Sequence, residues 1–207
     1  HVRSRRQRQM CIRDRKITAL ESERKNFLRE RNGAVGKLAE IDHSLSYHTG
    51  KIQEAKKDLA CFEQRVERDA EGNLINRLSI KGVEDCSDIK VIAHRLQEIE
   101  EKARTNGEYN KIGELYGFSV MVKTESSSQN LFDLSVNRFF VKGEGSIYYT
   151  YNNGKLANDP KLACLNFFNA LERIPKVIES HEKEIAKVSA NKEVYTCLLY
   201  TSPSPRD

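Results

Sequence analysis

The residues best suited to bind a ligand are aromatic and basic and lie close together: Arg138, Phe139, Phe140, Lys142, Tyr148, Tyr149 and Tyr151, with Tyr116 and Phe118 upstream. Exposed rings beside Arg and Lys can stack the bases of a single nucleic-acid strand while the cations meet its phosphates. Strand alternation limits this, because one face of a sheet built here must be core. Either Phe140 and Tyr149, or Phe139, Val141 and Tyr148, are expected to pack under helices instead. Arg77 sits at the matching point of a string similar to that around Arg138, and each can contact phosphate or pair with an acidic helix face. The candidate nucleic-acid-binding residues are therefore Arg77, Arg138, Phe139, Lys142 and Tyr149.

Bond-breaking chemistry needs a constellation, and the sequence shows none. It has no glycine-rich loop ending in Gly-Lys-Ser/Thr, no Asp-Glu pair after an apolar strand and no nucleophile elbow. His43 and His48 are five residues apart, which misses the three or four spacing of a helical metal pair. His94 and His181 stand among Arg, Glu and Lys and read as solvated. No catalytic residue, metal ligand or cofactor is expected in this segment.

Both ends have a different character. Arg5 to Asp14 and Cys197 to Asp207 resemble the in-frame translations of a transposase-type sequencing adapter, one run matching the reverse complement of the other at the DNA level. Residues 1–15 and 197–207 are accordingly read as adapter-derived, and the natural insert as about Lys16 to Thr196, open at both ends. This changes the charge. The chain has 35 Lys and Arg against 30 Asp and Glu, but seven of those bases (Arg3, Arg5, Arg6, Arg8, Arg13, Arg15, Arg206) and two of the acids (Asp14, Asp207) lie in the end runs, leaving 28 against 28. A net charge of zero is no footprint for strong phosphate binding. Cys61, Cys86 and Cys164 offer no close pair, as suits a reducing cytoplasm. No apolar run reaches the roughly 18 residues of a membrane span, so no membrane contact and a cytoplasmic location are expected.

The elements that must position the aromatic patch follow from periodicity. From Ile17 to Val66 apolar residues recur at three-four spacing, Leu20, Phe27, Ala34, Leu38, Ile41, Leu45, Ile52, Ala55, Leu59 and Phe62 among them, interrupted by Arg24, Arg31 and His48. Against the alternative of a hairpin turn near Asn32-Gly33, this predicts a continuous coiled-coil-like helix over 16–70 whose seam needs a partner helix, because the phase survives Gly33, Gly36 and Gly50. At about 1.5 Å per residue it would be roughly 75 Å long. An α+β module is expected over 74–192. Its elements are a strand at 74–81, a helix capped by Ser87 or Asp85 with Ile89, Ile92, Ala93, Leu96, Ile99 and Ala103 on its apolar face, and a left-handed stop at Asn106-Gly107. A strand over 116–123 and a loop over 125–130 follow. Gly143-Glu-Gly145 then turns a hairpin between 139–142 and 147–151. A helix starts at Asp159-Pro160 with Leu162, Leu165, Phe168 and Leu171 on its face, and Pro175 kinks it or begins another. The fold class is α+β: a long N-terminal helix, then a small antiparallel sheet with flanking helices. Asn76 to Gly82 echoes Asn137 to Gly143, each followed by an Asp-X-Lys helix start, at Asp88 or Asp159.

The strings LSIKG from Leu78, IKVIAHRLQEI from Ile89, GELYGFSVMV from Gly113, FFVKG from Phe139, YYTYNNGK from Tyr148 and NALERIP from Asn169 together resemble one family region. It is the C-terminal region of very large helicase and adenine-specific DNA methylase proteins of bacterial conjugative elements and phages, beyond their Swi/Snf-type motor. The resemblance covers roughly Leu74 to Val188. It implies a non-catalytic accessory segment of a large DNA helicase, docking on the motor or on DNA, with ATP and Mg serving the parent motor. The family's ATP-binding loop and methylase motif are absent, so no catalytic residue carries over. The other reading is an interaction protein that uses the helical arm and the sheet to bind a protein partner.

Overall fold

The computed structural model describes residues 2–83, 88–126 and 135–201, and is α+β. A long helix, α1 (Val2–Arg65), precedes β1 (Ser79–Ile80), α2 (Ile89–Lys102), β2 (Asn110–Leu115), β3 (Phe118–Ser126), β4 (Ser135–Lys142), β5 (Tyr148–Tyr149), α3 (Pro160–Leu171) and α4 (Ile174–Thr201). The strands form one antiparallel sheet in chain order. Both adapter-like ends continue into helix, 2–15 at the start of α1 and 197–201 at the end of α4.

By contacts the chain divides into one unit of 1–48 with 183–207 and another of 49–182. The division differs from the expected one at 70–74, because the last turns of α1 belong to the sheet's core and the second half of α4 does not. In the first unit α4 runs alongside α1. Lys192 Nζ meets Asp42 Oδ1 at 2.8 Å, and Tyr195 lies near Lys37, so the two helices are antiparallel. Ala34 and Ile41 of the seam are buried, and Leu38 and Leu45 half-buried. On α4, Ile185, Val188 and Tyr195 are half-buried. Toward the start of α1 the stripe is open: Ile17 is 45% and Leu20 64% exposed.

In the second unit, helices cover one face of the sheet. Ala55 and Phe62 of α1, Ile92, Ala93 and Leu96 of α2, Phe167, Phe168 and Leu171 of α3, and Ile174 of α4 join Phe118, Val120, Val122, Phe139 and Val141 in one core. Burying each large side chain contributes about 1.5–3 kcal/mol. Helix ends are fixed locally. Asp88 accepts from Lys90 N at 2.8 Å and caps α2; the expected caps Asp85 and Ser87 lie outside the described residues, as does 127–130 of the expected loop. Asp159 accepts from Leu162 N at 2.9 Å with Pro160 in the first turn of α3, as its residue order requires. Pro175 opens α4 as a second helix.

Three expectations need correction. The strand expected over 74–81 is only Ser79–Ile80, because 74–78 is drawn away by an isolated bridge of Leu74 with Arg68 and by the Tyr116 hydroxyl on Ile75 O. The expected strand over 116–123 is the second arm of a hairpin whose first arm, β2, was not foreseen. Tyr116 and Gly117, with φ of 50° and 81°, form the two-residue turn that joins them. The expected face of α3 holds at Phe168 and Leu171, which are buried, but not at Leu162, which is 54% exposed; Ala163, Cys164 and Phe167 are buried beside them.

Candidate nucleic-acid interface

Alternation along β3 and β4 sorts their side chains between two faces. Phe118, Val120, Val122 and Thr124, with Asn137, Phe139 and Val141, turn toward the helices and are buried. Ser119, Met121, Lys123 and Glu125, with Arg138, Phe140 and Lys142, turn to the other face. The register sets Met121 opposite Phe140, Lys123 opposite Arg138, and Lys142 opposite both Ser119 and Tyr148 of β5.

Tyr109 completes this outer face. It comes from the segment between α2 and β2, where Asn106 and Gly107 at φ 50° and 84° reverse the chain rather than ending the helix, which stops earlier at Ala103. Its ring stacks on Tyr148, with centroids 4.0 Å apart and planes 19° from parallel, and Phe140 meets the pair edge-on at 5.2 Å and 6.5 Å. All three rings are half-buried, and Met121, on the same face, is covered to 8% exposure. Lys123 Nζ stands 5.1 Å from the Tyr109 centroid, a cation on an aromatic face. Among the described residues of this face, Glu125 is engaged with Arg138 and Glu114 with Lys111. Lys123 and Lys142 have no carboxylate partner among the described residues, which leaves the rings bordered by net positive charge.

Two buried polar systems hold this arrangement. Asp58 of α1, 1% exposed, accepts the Glu144 N–H at 2.9 Å and the Tyr149 hydroxyl at 2.7 Å. Next to it, Glu54 accepts from the Ser146 N–H at 3.2 Å and hydroxyl at 2.8 Å, and Lys51 bonds both Glu54 and Ser146. The Ser146 hydroxyl is the main cause that holds the Glu54 carboxyl below its usual range. Gly143 has to be glycine, since a Cβ there would collide with the Asp58 carboxylate. The β4–β5 hairpin, and with it Tyr148, is thus fastened to α1. Tyr109 is placed by the second system. Thr105 and Thr124 exchange hydrogen bonds, N–H to hydroxyl, at 2.7 Å and 3.0 Å; Thr124 donates to Asn137 Oδ1 at 2.6 Å. Asn137 Nδ2 then donates to the carbonyls of Glu100 and Ala103, satisfying the C-terminal end of α2.

The five candidate residues separate. Arg138 and Lys142 lie on the outer face beside Phe140 and Tyr148. Phe139 and Tyr149, 4% and 2% exposed, point into the core, Phe139 against Phe167 at 6.2 Å, and no base can reach them. Neither alternative foreseen for the hairpin holds, because pairing of Val141 with Tyr149 puts Phe139, Val141 and Tyr149 together inside. Arg77 belongs to the segment leading into β1, at the other edge of the sheet, and is held to Glu67 at 2.6 Å. Tyr109 is the residue the sequence reading missed. Its signal was present, since it follows the Asn106-Gly107 turn and opens the strand at Asn110.

Among the described residues no group of three or more His, Cys, Asp or Glu could hold a metal ion. Burial pushes the Cys164 thiol up to about 11, which marks it as inert packing. No helix among them is long and apolar enough to cross a membrane. The outer face offers rings that can stack, cations that can neutralise an anion and side chains that can hydrogen-bond.

No curated protein and no solved structure matches the chain. A family model described as a domain of unknown function, DUF8438, matches residues 63–171, from the end of α1 through α3. That span takes in every strand among the described residues and both ring-bearing segments of the outer face, and exceeds half of the sequence, so the chain belongs to the DUF8438 family.

Proposed function

We propose that this chain is a non-catalytic accessory segment of a large DNA helicase, a binding module that docks on the motor or on the DNA the motor handles. The observation that carries the reading is the outer sheet face: a ring cluster bordered by Lys123 and Lys142, which have no carboxylate partner among the described residues. The resemblance of 74–188 to the region beyond Swi/Snf-type motors supplies the parent, in which ATP and Mg belong to the motor. The purified chain is expected to hydrolyse no ATP with or without DNA, and appreciable turnover in a phosphate-release assay contradicts the reading.

A second reading is an interaction protein whose helical arm and sheet bind another protein. The open apolar stripe at Ile17, Leu20 and Leu28 favours it. Sedimentation distinguishes the two, since a stripe that pairs between chains gives a concentration-dependent dimer.

A further inference from the structure

We infer that the outer face of the sheet is a stacking site for single-stranded nucleic acid, centred on the Tyr109–Tyr148 pair and flanked by Lys123 and Lys142. The inference rests on the binding-module reading and names its ligand. One face of the stacked pair is occupied by the Lys123 ammonium over Tyr109. A base laid on Tyr148 would extend that stack by a further ring. Lys142 stands across the strand register from Tyr148, where the phosphate of such a nucleotide needs a cation.

Three observations favour this ligand over a protein. Among the described residues, the aliphatic surface that a protein interface buries at its centre is scarce on this face, since Met121 is already covered and Val136, 38% exposed, stands at the far end of β4. Among the described residues, Glu114 and Glu125 on the face are each paired with a base, so the remaining charge is positive beside half-exposed rings. The rings are also held before any ligand arrives, Tyr148 through the hairpin fastened to Asp58 and Tyr109 through the Thr105–Thr124–Asn137 system, so little ordering opposes binding. Base–aromatic stacking tolerates any sequence, and the ligand class is single-stranded nucleic acid of no set sequence.

The test is fluorescence anisotropy of a labelled oligothymidine on the full chain, over a salt series. The arginines at 3, 5, 6, 8, 13 and 15 are first replaced by Gln, so that the basic N-terminal run is not the source of the signal. In this background the chain is expected to bind saturably. Tyr148→Ala is expected to weaken binding at least about fivefold, the lower end for one base–aromatic stack, and Tyr148→Phe to bind as the parent does. Lys142→Ala is expected to lower the salt slope by about 0.7, one single-strand phosphate contact. Phe140→Ala serves as the second ring variant, and thermal melts establish that each variant is folded. No saturable binding, or unchanged affinity in folded Tyr148→Ala and Phe140→Ala, overturns the inference. Either result leaves the accessory reading standing, which ATP turnover would undo separately.

Discussion

Asp58 shows how much one residue can carry in this fold. It sits in a run of charges, Lys56-Lys57-Asp58, that reads as a solvated helix face, yet its carboxylate is buried and both oxygens accept hydrogen bonds from the β4–β5 hairpin. Nothing local in the sequence marks it, because its donors lie about ninety residues away. Tyr149→Phe removes one donor and leaves Oδ2 buried without a partner, which should lower stability by about 1–3 kcal/mol in urea unfolding. The same residue sets an alkaline limb. Burial, and then the hydrogen bond to Asp58, raises the Tyr149 hydroxyl above its ordinary value, and burial raises that of Tyr116. The folded state therefore keeps these protons where the unfolded chain loses them. The stabilisation is complete below about pH 10 and is lost as pH rises through the folded values. The urea midpoint should fall above about pH 10 in the parent and fall less steeply in Tyr149→Phe; an equal fall in both would remove Tyr149 from the account.

At the scale of elements, legibility followed how local the deciding interaction was. The continuity of α1, the Asp159-Pro160 start of α3 and the break at Pro175 are set by residues within a turn of the feature, and each was readable. The hairpin between β2 and β3 was not, since its turn is Tyr116-Gly117 rather than Asn-Gly, and a tyrosine at φ 50° gives no turn signal. Which rings of the β4–β5 hairpin face the core depends on the pairing of Val141 with Tyr149, a register fixed by the loop and by Asp58 together. So the candidates Arg138 and Lys142 lie on the outer sheet face, whereas the candidates Phe139 and Tyr149 lie in the core and their neighbours Phe140 and Tyr148 on the outer face. The echo between Asn76–Gly82 and Asn137–Gly143 extends to burial: Leu78 and Phe139 are 3% and 4% exposed, Ile80 and Val141 fully buried, and Arg77 and Arg138 each pair with a glutamate. The matched asparagines differ in role, Asn76 accepting from the Leu78 N–H and Asn137 closing α2 with its amide. Asn137→Ala should cost about 2 kcal/mol by leaving the Glu100 and Ala103 carbonyls without that donor, and should raise amide exchange across 100–109. Unchanged exchange there would show that the α2 end and the Tyr109 segment are held by something else.

For the whole molecule, the excess positive charge sits in the adapter-like ends, and the remaining charge is balanced. The proposed nucleic-acid binding therefore calls for a local surface rather than a global field. The measurement that tests this most directly is photocrosslinking of a 4-thiothymidine oligonucleotide to the full chain, mapped by tryptic peptides. The expected crosslinks fall on peptides 105–111, 139–142 and 143–155, which carry Tyr109, Phe140 and Tyr148. Crosslinks confined to residues 1–15, or to the helix-covered side of the module on α3 and α4, would contradict the assignment of the outer sheet face as the working surface.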